Sequence, residues 1–199
     1  HPLLLTRGVP GTHDIQLMVN LFKKVKKSSF RSINIPKFDK SIDDRCKKNS
    51  WFKLKKKPDI LILEGWCVGA RAEGSRSLNR PINVLEKNAD KKKIWRSYVN
   101  NQLKSKYSKL FDQLDSLLYL KAKNFKLLKR WRLKQEKKLK MKSGTKKNSK
   151  IMNEREVETF MMTYQRITQN MFKNAPKYSS AVIDLNENHQ IKKVKFKHV

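Results

Sequence analysis

The sequence contains few cysteines, few acidic residues and no long uninterrupted apolar run. Its two cysteines, Cys46 and Cys67, form neither a CxxC pair nor part of a His/Cys cluster, so the sequence predicts no disulfide framework and no zinc site. The run "HPLLLTR" is too short for a signal peptide, and "DILILEGWCVGA" is interrupted by Glu64 and cannot span a membrane. We therefore expect reduced, structural cysteines, a cytoplasmic location and no membrane partner.

The shortage of acidic residues leaves the chain strongly basic. Its 199 residues include 48 Lys and Arg against 17 Asp and Glu, a formal net charge of +31. Such a charge is typical of proteins that bind nucleic acid or another polyanion. Only 11 of the 48 basic residues are Arg, however, and they are spread along the whole chain, whereas bidentate contacts to bases and phosphates favour Arg. We expect nonspecific attraction to polyanions and keep polyanion or RNA binding as an alternative function.

Apolar periodicity predicts a folded chain with a single domain over residues 1–199 and four helices. The first helix covers residues 15–25, and the third is the basic stretch "FKLLKRWRLKQEKKLKMK". The fourth begins at Asn153, because Glu156 follows three residues later as in a capping box. The core face of the long second helix consists of Trp95, Tyr98, Val99, Leu103, Tyr107, Leu110 and Phe111.

Short apolar stretches between these helices predict strands. The stretch "PDILILEG" is apolar at consecutive positions, which is typical of a strand buried on both faces of a parallel sheet. Alternation of strands and helices predicts an α/β fold, with a parallel sheet covered by helices on both faces. The polar stretches 39–57 and 66–90 are predicted to be loops. The other predicted strands are "SINIPKF", "DSLLYLKA", "SSAVIDL" and the hairpin partner of the last, "QIKKVKF".

Polar residues follow the opening apolar run, interpreted as a first strand, and two further predicted strands, "SINIPKF" and "PDILILEG". In doubly wound α/β folds ligands bind beyond the carboxyl ends of the strands, so these residues are expected to converge on one rim. The rim residues are Arg7, His13, Asp14, Asp39, Lys40, Asp43, Asp44, Arg45 and Glu64.

Glu64 ends the most apolar of the predicted strands. A carboxylate at that point has the form of a Walker-B residue, which holds Mg²⁺ or its water near a nucleotide phosphate. The alternative is that Glu64 caps the strand or pairs with a lysine, and the sequence favours neither.

The octet "RGVPGTHD", residues 7–14, has both a structural and a functional interpretation. Pro10 and Gly11 predict a turn, Thr12 a helix cap, and Asp14 a favourable charge at the helix N-terminus. This leaves Arg7 and His13 without a structural task, and a helix N-terminus beside an arginine also attracts anions. In the basic helix, Arg130 and Arg132 either form a solvated face or reach over a bound polyphosphate.

The stretches "RGVPGTHD", "IPKFDKSIDDR", "DILILEGWCVG", "WRSYVNNQL", "WRLKQE" and "TYQRIT" occur in this order along the chain. Through these stretches and their order the sequence resembles the D-glycerate 3-kinase-like family of P-loop kinases. This family is related to pantothenate kinase and uridine kinase. The resemblance runs from about residue 4 to near the C-terminus and implies a three-layer P-loop NTPase-type fold. It also implies ATP- and Mg²⁺-dependent transfer of a γ-phosphoryl group to a small hydroxy acid. The first candidate for this acceptor is D-glycerate.

The resemblance assigns roles to matching residues. Glu64, Asp14 and Arg132 are expected to be catalytic, with Glu64 holding Mg²⁺ directly or through water. Arg130 and Arg166 are expected to contact the nucleotide, and residues 123–153 to form a basic lid-like helix and mobile loop. The residues expected to bind the acceptor substrate are Arg7, His13, Asp39, Lys40, Asp43 and Arg45.

One departure from the family pattern concerns the phosphates. These kinases carry a Gly-rich loop ending in Gly-Lys-Ser/Thr, and this sequence contains no G-x-x-x-x-G-K-[ST]. We therefore expect an N-terminally truncated kinase domain that lacks the phosphate-loop unit. A catalytically inactive family member that binds nucleotides or polyanions is the alternative.

Overall fold

The computed structural model describes residues 1–39, 44–143 and 151–197. The α-helices are α1 (Ile15–Lys26), α2 (Val84–Ala89), α3 (Ile94–Gln102), α4 (Ser108–Phe111), α5 (Phe125–Ser143) and α6 (Glu154–Tyr178). A π-helical turn (Leu103–Tyr107) joins α3 to α4, and short 3₁₀ helices cover Pro2–Leu4, Lys48–Ser50 and Ser75–Asn79. The strands are β1 (Ile33–Ile35), β2 (Phe38–Asp39), β3 (Asp44–Arg45), β4 (Phe52–Leu54), β5 (Leu118–Lys121), β6 (Ala181–Leu185) and β7 (Ile191–Phe196).

The helices predicted from apolar periodicity are confirmed. In α1 the buried positions Ile15, Val19 and Phe22 recur at helical spacing on one face. At the start of α6 the side chain of Asn153 accepts from the backbone N–H of Glu156, and the Glu156 carboxylate accepts from the N–H of Asn153. This reciprocal capping box satisfies two backbone donors that the first helical turn leaves free.

The strands of the described residues form a mixed α/β fold with small sheets. In the largest sheet β5 pairs with β6 in parallel, and β6 pairs with β7 as the predicted antiparallel hairpin. The pairs β1–β4 and β2–β3 are antiparallel. The prediction of loops at 39–57 and 66–90 is wrong in part, since β3, β4 and α2 lie there. Strands of two or three residues are too short to leave a periodic pattern in the sequence.

The stretch 58–65, predicted to be a buried strand, has no regular secondary structure and pairs with no strand among the described residues. Ile60 is 76% exposed and Ile62 83% exposed. The physical reason is that no described strand lies beside it. A cleft of about 1090 Å³ separates it from β5, whose edge away from β6 is also unpaired.

The core lies where α3, the π-helical turn and α4 pack against α1 and α6. Side chains such as Trp95 and Leu110, each 2% exposed, fill its centre. In the part of the chain that the structure describes, no helix combines the length and the apolar character needed to cross a membrane. The remaining core residues from these elements include Val19, Phe22, Val99, Leu103, Tyr107, Tyr164, Ile167 and Met171.

Candidate functional site

The octet 7–14 forms a closed turn that leads directly into α1. The hydroxyl Oγ1 of Thr12 accepts a hydrogen bond from the Gly8 N–H at 2.7 Å and donates one to the Val9 carbonyl oxygen at 2.8 Å. The helix cap is Asp14, whose Oδ1 accepts from the Leu17 N–H at 3.0 Å. The predicted capping role of Thr12 is therefore wrong. Its hydroxyl is used within the turn, and the cap falls to the carboxylate that is adjacent to the helix.

Gly11 allows this turn to pack against α3. Its φ of +102° lies in the region that favours glycine, and a Cβ at this position would lie 2.5 Å from Cε1 of Tyr98. The Gly11 N–H donates a hydrogen bond to the Tyr107 hydroxyl at 3.1 Å. The octet is thus held against α3 and the π-helical turn.

The octet also contacts the β2–β3 hairpin. The Arg45 guanidinium forms an ion pair with the Asp14 carboxylate, Nη1 to Oδ2 at 3.2 Å. The Arg7 guanidinium lies over the Phe38 ring, 4.2 Å from its centroid, in a cation–π contact. The octet and the β2–β3 hairpin, both predicted to contribute to one rim, therefore lie next to each other.

The other predicted substrate residues belong to the same hairpin. Asp39 in β2 is paired with Asp44 in β3 across the short ladder. Lys40 and Asp43 lie between the two strands, outside the described residues.

His13, near the end of the octet, is half-buried against the π-helical turn. Its Nδ1 is 2.6 Å from the Tyr107 hydroxyl oxygen. Burial, assisted by the positive charge of Arg7, lowers the pKa of His13 to about 4. The imidazole is therefore neutral at physiological pH and contributes hydrogen bonding, not charge, to the site.

Glu64 lies on the wall of the cleft, near the end of the stretch 58–65. Its side chain is exposed, and across residues 1–39, 44–143 and 151–197 it has no hydrogen-bonding or ion-pairing partner. The alternative in which Glu64 pairs with a lysine is thus not realised there. A carboxylate oxygen without a protein partner suits Mg²⁺, which proteins commonly bind through one or two carboxylates together with substrate phosphates.

Arg130 and Arg132 on α5 are both engaged with the protein. Nη2 of Arg130 donates to the exposed Glu187 carboxylate at 2.9 Å. Nη2 of Arg132 is 2.5 Å from the Glu136 carboxylate, and its guanidinium lies 5.0 Å from the centroid of the Phe160 ring. The Nε of Arg132 is buried and has no hydrogen-bonding partner among the described residues. These contacts dock α5 on α6 and on the β6–β7 turn.

Arg166, predicted to contact the nucleotide, forms a network of hydrogen bonds with described residues. Its Nε and Nη2 donate to the Glu86 carboxylate at 2.8 and 2.6 Å, and Nη1 donates to that of Glu73 at 3.1 Å. Backbone carbonyl oxygens of Ser77 and Arg80 accept two more hydrogen bonds. An arginine has five N–H donors, and these contacts use all of them. Arg166 thus fastens the stretch 73–86 to α6 and has no donor left for a ligand.

The charges around Arg166 are strongly coupled. Burial by itself would lower the pKa of Arg166, but the hydrogen bonds and negative charges of Glu86 and Glu73 outweigh it and raise that pKa. The Glu86 side chain is only 1% exposed, and its carboxylate pairs with the Arg166 guanidinium.

Sequence comparison identifies relatives that are named kinases. "Uncharacterized kinase mug58" of Schizosaccharomyces pombe is 33% identical over 170 residues, covering 82% of this chain and 58% of the relative. "Probable ATP-dependent kinase TDA10" of Saccharomyces cerevisiae is 37% identical over 75 residues, covering 34% of this chain and 25% of the relative. "D-glycerate 3-kinase, chloroplastic" of Arabidopsis thaliana is 23% identical over 143 residues, covering 67% of this chain and 28% of the relative. The chain belongs to the glycerate 3-kinase-like family.

Structural comparison agrees with this relationship at the level of the fold. The solved D-glycerate 3-kinase from Cryptococcus neoformans superposes on this glycerate 3-kinase-like chain with a TM-score of 0.77 and 22% identity. The match covers 98% of this chain and 71% of that one. No family model matches the sequence. The protein is therefore related to enzymes of the kinase class, and it spans less than two thirds of the length of its three named relatives.

Two features of this glycerate 3-kinase-like chain escaped the sequence analysis. The apolar period of the second predicted helix places Tyr107 on a core face, but it does not indicate that the Tyr107 hydroxyl contacts the octet. Glu86 was placed in a loop, although Asn83 three residues earlier caps α2 by accepting from the Glu86 N–H. The Asn-x-x-Glu spacing was the available signal for α2, whereas nothing local indicates the hydroxyl contact of Tyr107.

The lowered pKa of His13 predicts a pH-dependent stability. Between its ordinary pKa of 6.5 and about 4 the unfolded chain binds more protons at this position than the folded chain. The contribution is therefore complete above pH 6.5 and is lost as the pH falls toward 4. We expect the free energy of unfolding of the wild type, relative to His13→Gln, to fall by about 1 kcal/mol over this range after solvent screening. Urea unfolding of both proteins at several pH values measures this difference, and a difference that stays constant would contradict it.

Proposed function

We propose that the complete protein is an ATP- and Mg²⁺-dependent kinase that phosphorylates a small hydroxy acid, with D-glycerate as the first candidate. The observation that carries this proposal is Glu64, an exposed carboxylate without a partner on the wall of a large cleft. Phosphoryl transfer depends on positioning and charge stabilisation, for which a metal-holding carboxylate and nearby cations are the expected groups. Bound Mg²⁺ would neutralise negative charge on the phosphates, and Glu64 would hold it directly or through water.

Arg7 is proposed to bind the carboxylate of the acceptor. Its guanidinium is oriented by the Phe38 ring, and its N–H groups have no acceptor within the described ranges. A planar guanidinium donates to both oxygens of a carboxylate at once. Asp14, beside it, caps α1 and pairs with Arg45, so its proposed catalytic role must operate with that ion pair in place.

The phosphate-binding unit is proposed to be contributed by a segment that this sequence does not contain. The cleft is lined on one side by the stretch 58–65 and on the other by β5, and neither has a strand partner on the cleft side among the described residues, which leaves room for an inserted strand. Filling it would create the parallel, three-layer P-loop NTPase-type sheet and bury Ile60 and Ile62. The sequence contains no Gly-Lys-Ser/Thr loop, so we derive no step through ATP from its residues. A lid role for residues 123–153 and a cytoplasmic location remain predictions.

The test is acceptor-dependent ADP release by the complete protein with ATP, Mg²⁺ and a panel of small hydroxy acids that includes D-glycerate. We expect turnover that needs both acceptor and Mg²⁺. Residues 1–199 alone are the control and should give none, because they contain no Gly-Lys-Ser/Thr loop. Absence of acceptor-dependent turnover in the complete protein would overturn the proposal.

In the same assay we expect Arg7→Ala to raise the KM for the acceptor by about 10-fold or more, the loss typical of a charged hydrogen bond, with the KM for ATP nearly unchanged. Arg31→Ala is the matched control, because it removes the same charge at an exposed position outside the octet and the β2–β3 hairpin. Equal increases in both KM values for Arg7→Ala would remove Arg7 from acceptor binding.

The net charge of +31 favours polyanion binding as the second candidate function. Neutralising phosphates releases counterions, so affinity for RNA should fall steeply as salt increases. A kinase site should instead depend on Mg²⁺ and on Glu64. Tight RNA binding with steep salt dependence, without acceptor-dependent turnover, would place this function first.

A further inference from the structure

Tyr107 is the only residue of the described chain whose side chain hydrogen-bonds to both Gly11 and His13. Its hydroxyl accepts from the Gly11 N–H at 3.1 Å and lies 2.6 Å from Nδ1 of His13. The two rings meet edge to face, with centroids 6.1 Å apart. Tyr107 ends the π-helical turn that interrupts the helix between α3 and α4. Such turns occur often at functional sites.

The position of one proton follows from these contacts. Burial raises the pKa of Tyr107 to about 12, so the hydroxyl carries its proton at physiological pH. The oxygen accepts from the Gly11 N–H, and among the described residues the one recorded contact of the hydroxyl that can take its proton is Nδ1 of His13. Because a hydroxyl on a buried side chain is unfavourable without an acceptor, we infer that Tyr107 donates to Nδ1.

The other nitrogen of His13 is then determined. A neutral imidazole that accepts at Nδ1 carries its proton on Nε2. Among the described residues this Nε2 has no recorded hydrogen-bonding partner, and it is not one of the fully buried unsatisfied atoms there. The charge of Arg7 acts on the His13 imidazole, and the next residue along the chain, Asp14, pairs with Arg45.

We propose that Tyr107 is a positioning residue that holds His13 as the Nε2–H tautomer and thereby makes it a hydrogen-bond donor to an oxygen of the acceptor substrate. The tautomer rests on the contacts of Tyr107 together with the protonation states of the two side chains, and the role toward substrate rests on the proposed function. In this role His13 does not remove the proton of the acceptor hydroxyl through Nε2, because that nitrogen already carries one. Arg7 and His13 together then provide donors for a carboxylate or hydroxyl oxygen.

The first experiment is ¹⁵N–¹H NMR of the histidine side chains in the uniformly labelled protein at neutral pH. We expect His13 to show an unprotonated Nδ1 and a protonated Nε2, and Tyr107→Phe to shift the two tautomers toward a mixture. Tyr98→Phe is the matched control. It removes a hydroxyl that lies 3.5 Å from the Gly11 carbonyl oxygen and has no hydrogen bond to His13, so the tautomer should not change. A protonated Nδ1 in the wild type would overturn the assignment.

The second experiment tests the substrate role in the complete protein. We expect Tyr107→Phe to raise the KM for the acceptor by about 5- to 10-fold, with the KM for ATP unchanged. In a His13→Gln background the same change should have little further effect, since a residue that acts through another is not additive with it. Additive losses would reduce Tyr107 to a structural residue. If no acceptor is phosphorylated while the NMR result stands, the proposed function fails and the tautomer assignment survives.

Discussion

Glu64→Gln in the complete protein is expected to lower turnover by about 100-fold or more, the size of effect that follows loss of one preorganised charge-stabilising group. The substitution keeps the size of the side chain and removes the negative charge that would hold Mg²⁺. Because Glu64 is exposed and has no partner in the described chain, its replacement breaks no observed structural contact. The midpoint of thermal unfolding should therefore stay within experimental error.

The measurement is steady-state turnover at saturating ATP and acceptor over a range of Mg²⁺ concentrations. Asp59→Asn serves as the control, because Asp59 lies on the same stretch 58–65, lines the same cleft and is also exposed. We expect Asp59→Asn to retain most of the turnover. Wild-type turnover in Glu64→Gln would remove Glu64 from the mechanism and leave the kinase proposal without its main structural support.

The second large effect is expected on stability. Arg166→Met should lower the free energy of unfolding by about 3–5 kcal/mol, because it leaves a buried carboxylate without its partner. The Arg166 side chain is 10% exposed and that of Glu86 only 1%. The same change also removes the donors that fasten Glu73 and the backbone of residues 77 and 80 to α6.

Urea unfolding measures this loss, with Arg130→Met as the control. Arg130 and Glu187 form an ion pair whose side chains are 57% and 61% exposed, so its removal should cost only about 0–1 kcal/mol. If Arg166 contacted nucleotide instead, Arg166→Met would weaken ATP binding and leave stability near that of the control. That result would restore the role that the sequence resemblance implied and contradict the structural one.

The sequence was sufficient wherever the signal is local. The apolar period of α1, the Asn153–Glu156 capping box and the β6–β7 hairpin were all predicted, because each depends on residues a few positions apart. The octet was recognised as a turn before a helix for the same reason. Its detail was still wrong, since the choice between Thr12 and Asp14 as the cap depends on which oxygen the turn leaves free.

Strand pairing shows the limit of local signals. The run "ILIL" has the composition of a buried strand, but a strand also needs a neighbour to hydrogen-bond with its backbone. No described segment supplies that neighbour, and the stretch has no regular secondary structure and is largely exposed. The composition of this stretch therefore predicted a buried strand. The lack of a neighbouring strand in the described chain decided that it is unpaired and exposed.

By itself the sequence determined the helices that have an apolar period, the basic character of the chain and, through the order of its motifs, the resemblance to glycerate 3-kinase-like proteins. Only the tertiary structure decided what individual polar groups do. Arg166 meets Glu73 across 93 positions of the chain, and Tyr107 meets His13 across 94. No local period or spacing encodes such contacts, because they arise when packed helices bring distant side chains together, and the cost of leaving buried polar groups unpaired then fixes their partners.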